Sequence, residues 1–380
     1  MKFSSKIFSI PVWLNFLLDI IIEVYLYIEK QKKNISCKKK IKRILHTSNL
    51  NHRMTKKEIS QCKSFCKDNF YGYNDALWHR AYYGINGIWS VNYIPEHFFY
   101  IELENLLNPF SAQLPFMDKN NFDRLFPDIK KPKTIIRKID GEYYDNNYKL
   151  CSIDDILKSN EINTMIVKPT INGRGGRGIA KINSTDILDY LKNEKCSNLI
   201  VQEQIKQHGE LSNFNNSSVN TLKISTVKIR TNAVVCSTRL RIGKENSIVD
   251  NPGTGGLFIG VNRDGSLRGH FLCKIDNYSK DQGHSGFVKD RNFKIPSWNK
   301  LNKAVINLHN SIPGLRFLSW DMAIDATGDP ILIEVNTMKQ DINNHQFANG
   351  PLFGDKTEEV LEWYKKQKGY KTQPLIKLIR

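Results

Sequence analysis

The 380-residue sequence has seven cysteines but no regular cysteine framework. Cys62 and Cys66 form the only close pair, and no second pair at ligand spacing accompanies them, so a zinc site is not predicted. The odd number of cysteines and their scattered positions favour reduced thiols with structural roles, as is usual in the cytoplasm.

Signatures of nucleic-acid binding are also missing. The sequence contains no zinc finger, no RNA-recognition signature and no basic region joined to heptads. Its 56 Lys and Arg residues nevertheless outnumber 38 Asp and Glu residues, which gives a formal charge of +18. Because nucleic acid is disfavoured, the partners expected for this positive charge are an anionic membrane surface or acidic small substrates. With 40% apolar residues and no Gly/Ser-rich linker or internal repeat, the chain is expected to fold into closely integrated globular subdomains.

The N-terminus lacks the pattern of a secretory signal, because its positive charge follows the apolar run and no cleavage site is evident. The apolar run, residues 7–28, carries polar or helix-breaking residues four positions apart: Pro11, Asn15, Asp19 and Glu23. Residues 30–43 then contain eight cationic side chains. This pattern is typical of an interfacial helix with a polybasic flank, whereas a spanning helix would have to bury two acids. A helix that packs on the following domain is the alternative, and both remain open.

Further along the chain, a mainly helical, aromatic-rich stretch over about residues 46–100 precedes alternating β-rich and helical patterns. The predicted strands lie at 164–169, 178–182, 198–205, 222–230, 233–242, 257–261, 318–324 and 330–336. Helices are predicted at 152–158, 184–193, with Ser184 or Thr185 as the N-cap, 298–311 and 357–366. Several strands follow one another without intervening helices, which predicts an antiparallel α+β architecture.

The stretch VKPTINGRGGRGIAKI contains a literal G-x-G-x-x-G at Gly173, Gly175 and Gly178. In a dinucleotide-binding fold these glycines would lead directly into a helix, but here an alternating, strand-like segment follows. A Walker A loop is excluded because no Gly-Lys-Ser/Thr ends the stretch. The pattern therefore predicts a glycine hairpin that cradles phosphate with backbone N–H groups, beside Lys168 at the end of the preceding strand. A plain surface hairpin is the alternative.

The second chemical feature is LSWDMAIDATGDPILIEVN, in which two strands flank the turn ATGDP. Glu334 and Asn336 lie two positions apart and so share a face of their strand, and Asp321 is expected to face them across the hairpin. Three oxygen ligands in this arrangement suit Mg²⁺ that also binds phosphate oxygens. The alternative is a solvated hairpin with ordinary surface acids, although an unpaired Glu334 would be costly to bury within ILIEVN.

Together these motifs resemble those of ATP-grasp proteins. Four motifs occur in the order expected of that superfamily. They are the upstream segment MDKNNFDRLFPDIKKPKTI, the Lys-Pro strand with its glycine hairpin, the hinge strand LIVQEQIKQHGE and the Asp…Glu-x-Asn hairpin. The resemblance covers roughly residues 70–366. It is closest to the sugar-transfer-associated ATP-grasp family of polysaccharide loci, through YYGINGIWSVNYIPEHFFY, GEYYD, SVNTLKIST, DNPGTGGLFIGV and ANGPLFGD.

The resemblance implies a fold in which two α+β subdomains clamp ATP, preceded by a mainly helical N-terminal region. Together with the N-terminal pattern described above, this predicts four segments. They are a helix with a polybasic segment at 1–45, a helical region at 46–110, the N-terminal ATP-grasp part with its glycine lid at 111–205, and the C-terminal part with the metal hairpin at 206–370.

The resemblance also implies roles for individual residues. Lys168 and Lys119 would bind the phosphates, under a lid formed by Gly173, Gly175, Gly176 and Gly178. Adenine would be bound by backbone groups of Gln202, Glu203 and Ile205. The ribose would be bound by Glu203 or Glu210. Asp321, Glu334 and Asn336 would bind Mg²⁺. Many relatives have an arginine just before the metal Asp, whereas this sequence has Ser319 and Trp320. The catalytic cation is therefore expected among Arg239, Arg241 and Lys223, the last of which stands where relatives often carry arginine.

The implied activity is an ATP- and Mg²⁺-dependent carboxylate–amine ligation through an acyl phosphate. The activity is expected to modify a sugar acid or an amino-acid group in polysaccharide assembly, in the cytoplasm or at the inner membrane face. The expected substrates are a small or lipid-linked sugar acid and an amine donor. There are two alternatives. The protein could be an amino-acid or peptide ligase unconnected with sugars, or a nucleotide-binding scaffold of a glycan-assembly complex. Gln340, His345 and Gln346 follow the metal hairpin and are expected either to contact substrate or to order a polar loop.

Overall fold

The structure, a computed structural model, describes residues 12–48, 50–70, 73, 75–154, 163–171, 173–274, 278–280 and 293–367. Parts of several predicted features lie outside this range, three of which bear on predicted elements. They are residues 7–11 of the N-terminal apolar run, residues 155–158 of the helix predicted at 152–158, and residues 368–370 at the end of the last segment.

Two of the longer helices have a recognisable signal at one end. The helices of seven or more residues in the described chain are α1 (Val12–Thr47), α2 (Lys56–Asn69), α3 (Leu77–Asn86), α4 (Ile187–Asn193), α5 (Trp298–Asn310), α6 (Ile342–Asn349) and α7 (Thr357–Gln367). Helix α2 starts at a capping box formed by Thr55 and Glu58, and α3 ends at Gly87, whose φ of 74° suits a helix C-terminus.

Shorter helical segments connect these elements. They are Glu96–Phe98, the π-helical turn Phe99–Leu103, Glu104–Leu107, Phe110–Gln113, Leu114–Phe116, Lys119–Asn121, Phe122–Leu125, Arg174–Gly176, Gly209–Ser212, Pro252–Thr254 and Gly354–Lys356. Most of them precede the first strand, so the mainly helical N-terminal region is confirmed.

Twelve described strands form two sheets, and every strand pair in them is antiparallel. The strands are β1 (Thr134–Ile139), β2 (Glu142–Tyr144), β3 (Thr164–Pro169), β4 (Ala180–Asn183), β5 (Leu199–Glu203), β6 (Leu222–Val227), β7 (Val234–Ile242), β8 (Leu257–Val261), β9 (Leu267–Cys273), β10 (Ser279–Lys280), β11 (Phe317–Ile324) and β12 (Pro330–Asn336). The five-stranded sheet has the order β2-β1-β5-β3-β4, and the seven-stranded sheet β10-β9-β8-β7-β6-β11-β12. The predicted antiparallel α+β architecture is therefore confirmed.

One helix start was predicted wrongly. Helix α4 begins at Ile187, and neither Ser184 nor Thr185 caps it. The backbone N–H of Asp186 donates to the carbonyl of Asn183, so a reverse turn occupies the positions before the helix. Ser and Thr serve turns as readily as caps, which is why the sequence pattern placed the helix start too early.

Three hydrophobic clusters support this architecture. The five-stranded sheet packs on α4, and one face of the seven-stranded sheet packs on α5. Helix α5 buries Trp298, Leu301, Val305 and His309, at the spacing expected of an amphipathic helix. A third cluster joins the N-terminal helices to α6, α7 and the other side of the seven-stranded sheet. The predicted boundary between residues 205 and 206 falls between the two sheets, although the segment boundaries as such remain a prediction.

The packing alternative describes the second half of α1, where Cys37, Ile41 and Ile44 are buried against the domain. The large apolar side chains that the structure describes between positions 20 and 28 are exposed, and the interfacial alternative remains a prediction. The polar positions Asn15, Asp19 and Glu23 have side chains outside the described part of the structure. Among the described residues, no helix combines the length and the apolar character that crossing a bilayer requires.

Candidate functional site

The glycine stretch is a hairpin loop between β3 and β4, whose strands pair with Val167 opposite Ala180. Gly175, Gly176 and Gly178 have φ angles between 68° and 77°, a region that side chains disfavour. Asn251, in the segment between β7 and β8, donates its amide N–H to the carbonyl of Gly175 at 2.6 Å. The predicted strand–glycine–strand arrangement is thus present, and the loop is tied to the seven-stranded sheet.

Gly176 provides a test of this loop. A Cβ at Gly176 would lie 2.9 Å from Cγ1 of Val249, and its φ of 77° adds backbone strain of about 1–2 kcal/mol. We expect Gly176→Ala to raise the KM for ATP about tenfold, because the loop would relax away from the conformation that is predicted to cradle phosphate. Gly141→Ala is the matched control, since Gly141 has a φ of 91° and open space around its Cβ position. Steady-state ATP titration of both variants measures the difference, and equal KM values would contradict the predicted role.

Two lysines lie beside the glycine loop. Lys168, near the end of β3, is buried, and burial together with the nearby charge of Lys119 lowers its pKa to about 8. Lys119 opens a short turn whose preceding residue, Asp118, accepts the backbone N–H of Asn120 at 2.9 Å. The Nζ of Lys119 lies 2.9 Å from Oε1 of Glu334. Positive charge is therefore held at the place where the glycine loop would present phosphate.

The predicted metal residues lie on the β11–β12 hairpin. Asp321 is directly opposite Glu334, and Asn336 lies two residues further along β12 on the same face. The hairpin turn is closed by Asp325, which accepts the backbone N–H groups of Thr327 and Asp329. The sequence thus brings the three side chains together through the alternation of two paired strands.

These side chains fit a magnesium ion through the chemistry of their donors. Two carboxylates and one amide oxygen form a set of hard oxygen ligands, and the lysines beside them neutralise the carboxylate charge in this structure. The amide nitrogen of Asn336 is buried without a hydrogen-bond partner, so no bond within the described residues fixes the orientation of its amide group. No group of three or more His, Cys, Asp and Glu suited to a metal occurs in the described part of the chain, which leaves this mixed set as the candidate.

The predicted catalytic cations are neighbours on the seven-stranded sheet. Lys223 on β6 is opposite Arg239 on β7, and its Nζ lies 2.9 Å from Oδ1 of Asp321. Arg241, two residues from Arg239, lies 3.4 Å from Asp321 and 3.3 Å from Asp250. Although burial raises the pKa of Asp321, Arg241 and Lys223 hold it below its ordinary value. Lys223 and Arg241 therefore pair with the β11–β12 hairpin at Asp321, and Arg239 lies opposite Lys223 on the next strand.

Arg239 differs from its neighbours in how it is paired. Its guanidinium is almost completely buried and pairs with Asp341 at 2.8 Å, while its Nε and Nη1 atoms have no hydrogen-bond partner. An unsatisfied buried donor is costly, so these nitrogens are suited to bind an oxygen-bearing ligand.

All of these groups line one cavity of about 430 Å³. The predicted site residues in its wall are Lys119, Lys168, Gly173, Gly175, Gly176, Gln202, Glu203, Ile205, Lys223, Arg239, Arg241, Asp321, Glu334 and Asn336. Of the residues predicted for nucleotide, metal or catalysis, Gly178 and Glu210 lie outside its wall. Gly178 packs beside Pro169, and Glu210 is exposed on a short helix after β5. Of the two carboxylates predicted for ribose, the structure therefore brings only Glu203 to the cavity.

The cavity wall also contains residues that were not predicted as site residues, among them Asp250, Asn251, Lys339 and Asp341. The first two lie in DNPGTGG, where an acidic and an amide residue before a glycine-rich turn were the available signal. Asp341 has φ 56° and Lys339 has φ 53°, and the buried Glu104 accepts backbone N–H groups of Lys339 and Gln340. Because these hydrogen bonds join segments that are far apart in the sequence, no local sequence pattern predicts them.

The polar residues after the metal hairpin are structural in this arrangement. His345 is buried between the hydroxyls of Ser225 and Ser237, at 3.1 Å and 2.9 Å. Gln340 bonds to Ser319 at 2.9 Å, and Gln346 donates to the carbonyl of Ile94 at 2.9 Å. None of the three lines the cavity, so loop ordering, rather than substrate contact, is what their positions support.

Comparison with known proteins gives one family match. Residues 190–361 match the family described as sugar-transfer associated ATP-grasp. This confirms the resemblance to ATP-grasp proteins and to that family in particular. No curated protein matches the sequence.

Several solved structures are similar to this chain at low sequence identity. The L-amino acid ligase from Bacillus licheniformis is 12% identical, with 62% of this chain and 44% of that chain covered and a TM-score of 0.35. The VanG D-Ala:D-Ser ligase from Enterococcus faecalis is 16% identical, with 67% and 63% covered and a TM-score of 0.39. The ATP-grasp ligase PsnB, complexed with minimal precursor, Mg and ADP, is 12% identical, with 68% and 62% covered and a TM-score of 0.38. The chain thus spans less than two thirds of the length of each of these proteins.

Proposed function

On the premise that residues 190–361 match the sugar-transfer associated ATP-grasp family, we propose that the protein is an ATP- and Mg²⁺-dependent carboxylate–amine ligase. The observation that carries the proposal is the single cavity in which the glycine loop, Lys168, the cation cluster and the Asp321–Glu334–Asn336 hairpin meet. We propose further that the substrates are a sugar acid or amino-acid group and an amine, used in polysaccharide assembly.

The charge of the cavity wall supports acidic substrates. Eight cationic side chains line it, compared with five acidic ones: Lys119, Lys168, Arg177, Lys181, Lys223, Arg239, Arg241 and Lys339 against Glu203, Asp250, Asp321, Glu334 and Asp341. A triphosphate and a substrate carboxylate together carry more negative charge than one magnesium ion neutralises. The surplus of wall cations matches that remaining charge.

ATP, when bound, would supply the phosphoryl group that converts the substrate carboxylate into an acyl phosphate, and Mg²⁺ held by Asp321, Glu334 and Asn336 would neutralise phosphate charge. Lys168 and Lys119 would bind phosphate oxygens, and the glycine loop would exclude water from the acyl phosphate. When the amine attacks the acyl carbon and phosphate leaves, Arg239 would stabilise the tetrahedral oxyanion with its unpaired nitrogens.

The proposed location is the cytoplasm. It is supported by the cysteines, since no disulfide joins any of the seven, all of which lie in the described residues.

The test is ADP release with panels of acid–amine pairs, comparing the wild type with Glu334→Ala. Glu334 contributes one of two carboxylates to the metal set, so we expect its loss to reduce turnover at least 1000-fold. Glu210→Ala is the control, because Glu210 is exposed and outside the cavity wall. It should leave turnover unchanged.

The same panel separates the alternatives. Stimulation by amino acids or peptides but not by sugar acids would favour a ligase unconnected with sugars. If the protein binds ATP and Mg²⁺ but no pair stimulates ADP release, the ligase proposal fails and a nucleotide-binding scaffold is favoured.

A further inference from the structure

Helix α1 has one face that is held by the protein body. Cys37, Ile41 and Ile44 are buried on this face, and Lys30 and Lys40 reach from it to body carboxylates. Lys30 pairs with Glu102 at 2.7 Å and Lys40 pairs with Glu96 at 2.6 Å. These contacts fix the rotation of the helix about its own axis, and they therefore determine which residues face outward.

The outward face begins with exposed apolar side chains. Between positions 20 and 28 the described large apolar residues are all 41–63% exposed: Ile20, Ile21, Val24, Tyr25, Tyr27 and Ile28. Ile35, one turn beyond the middle of the helix, is 54% exposed. Single exposed apolar residues are common, but a cluster on one element marks an interaction site.

The same face continues with positive charge. Six residues of α1 follow one another at steps of three, four or seven positions, and this spacing places them on one side of the helix. They are Ile20, Val24, Ile28, Ile35, Lys39 and Lys42. Lys38, Lys39, Lys42 and Arg43 are exposed, and none of the described ion pairs involves them. The outward stripe of α1 is thus apolar in its first described half and cationic in its second.

We propose that this stripe is a peripheral anchor for an anionic lipid bilayer. The apolar half would insert between headgroups, and the cationic half would lie against their phosphates, so that apolar burial and charge attraction add together. A second copy of the chain fits the stripe less well. Parallel pairing would place lysines against lysines, and antiparallel pairing would place lysines against the apolar half. This inference is independent of the proposed ligase activity.

The experiment is co-sedimentation of the full chain with vesicles of phosphatidylcholine alone or mixed equally with phosphatidylglycerol. We expect binding to the anionic vesicles that is about 100-fold weaker in Lys38→Glu/Lys39→Glu/Lys42→Glu and at least tenfold weaker in Ile20→Ser/Val24→Ser/Ile28→Ser. Lys56→Glu/Lys57→Glu/Lys63→Glu is the matched control, because it makes the same charge change on exposed positions of the neighbouring helix α2.

Three outcomes would overturn the proposal. They are equal binding by wild type and both α1 variants, equal loss in the α2 control, and a dimer of the wild type in light scattering that the α1 variants convert to monomer without any vesicle binding. Thermal unfolding of each variant establishes that it is folded. Because every substituted side chain is exposed, all midpoints are expected to stay within a few degrees of the wild-type value.

Discussion

Replacing Lys168 by methionine is expected to weaken ATP binding about 100-fold and, at the same time, to make the unliganded protein more stable. Lys168 is buried at the cavity wall, and no ion pair to a carboxylate holds it among the described residues. Burial of its ammonium is unfavourable until phosphate oxygens bind it, so the same charge lowers stability without ligand and contributes affinity with it. A stability gain on the order of 1–3 kcal/mol is expected at neutral pH.

The pH dependence gives this prediction a definite sign. In the unliganded protein, burial lowers the pKa of Lys168 to about 8 from the ordinary 10.5, whereas ATP binds the protonated form. Between pH 7 and pH 9 the protonated fraction falls, and ATP affinity should fall about tenfold. Stability should change in the opposite direction. The unfolded chain keeps this proton up to about pH 10.5 and the native chain only to about pH 8, so the unfolding free energy rises across that interval.

Calorimetric ATP titration and urea unfolding, each at pH 7, 8 and 9, measure both effects. Lys168→Arg should bind ATP without the pH dependence, because a guanidinium stays charged throughout this range. Lys192→Met, on the exposed side of α4, is the control for losing a lysine and should change neither quantity. A parallel loss of affinity and stability in Lys168→Met would show that the lysine is structural rather than a phosphate ligand.

The parts of the site that could be predicted from the sequence are those whose residues are close in sequence. The glycine loop and the Asp321–Glu334 hairpin depend on strand alternation and on turn residues within one supersecondary unit, and both have the expected register. The sequence identified Lys223, Arg239 and Arg241 as candidate catalytic cations but could not indicate which of them has that role. Their common position becomes visible only when β6 and β7 pair and place Lys223 opposite Arg239.

The rest depends on contacts between distant segments. Asp250 enters the site because Arg241 and Thr221 hold it, and Asp341 because Arg239 does. Glu203 and Glu210 were indistinguishable as ribose ligands, since the choice depends on where β5 ends and the chain turns away from the cavity. The outward face of α1 likewise follows from its ion pairs to residues 96 and 102, which no helical periodicity could have identified.

The second large effect is expected at Asp321. Asp321→Asn removes the buried carboxylate between Lys223 and Arg241, and we expect it to abolish ATP-dependent turnover and to lower the unfolding free energy by about 3–5 kcal/mol. Arg241 keeps a second partner in Asp250. Within the described chain, Asp321 is the carboxylate that pairs with Lys223, whose pKa burial lowers. Most of the lost stability should therefore come from Lys223 left buried without its partner.

The double variant Asp321→Asn/Lys223→Met separates structure from chemistry at this position. Removing both members of a buried ion pair avoids the unpaired charge, so urea unfolding should show at least half of the lost stability restored. Turnover should remain absent, because the double variant lacks a carboxylate of the metal set formed with Glu334 and Asn336 and also lacks one of the predicted catalytic cations. If turnover returned together with stability, Asp321 would act only by neutralising Lys223, and the metal role would pass to Glu334. If neither returned, the cost of Asp321→Asn would lie in the hairpin itself, since Arg241 retains Asp250 and the unpaired lysine has been removed.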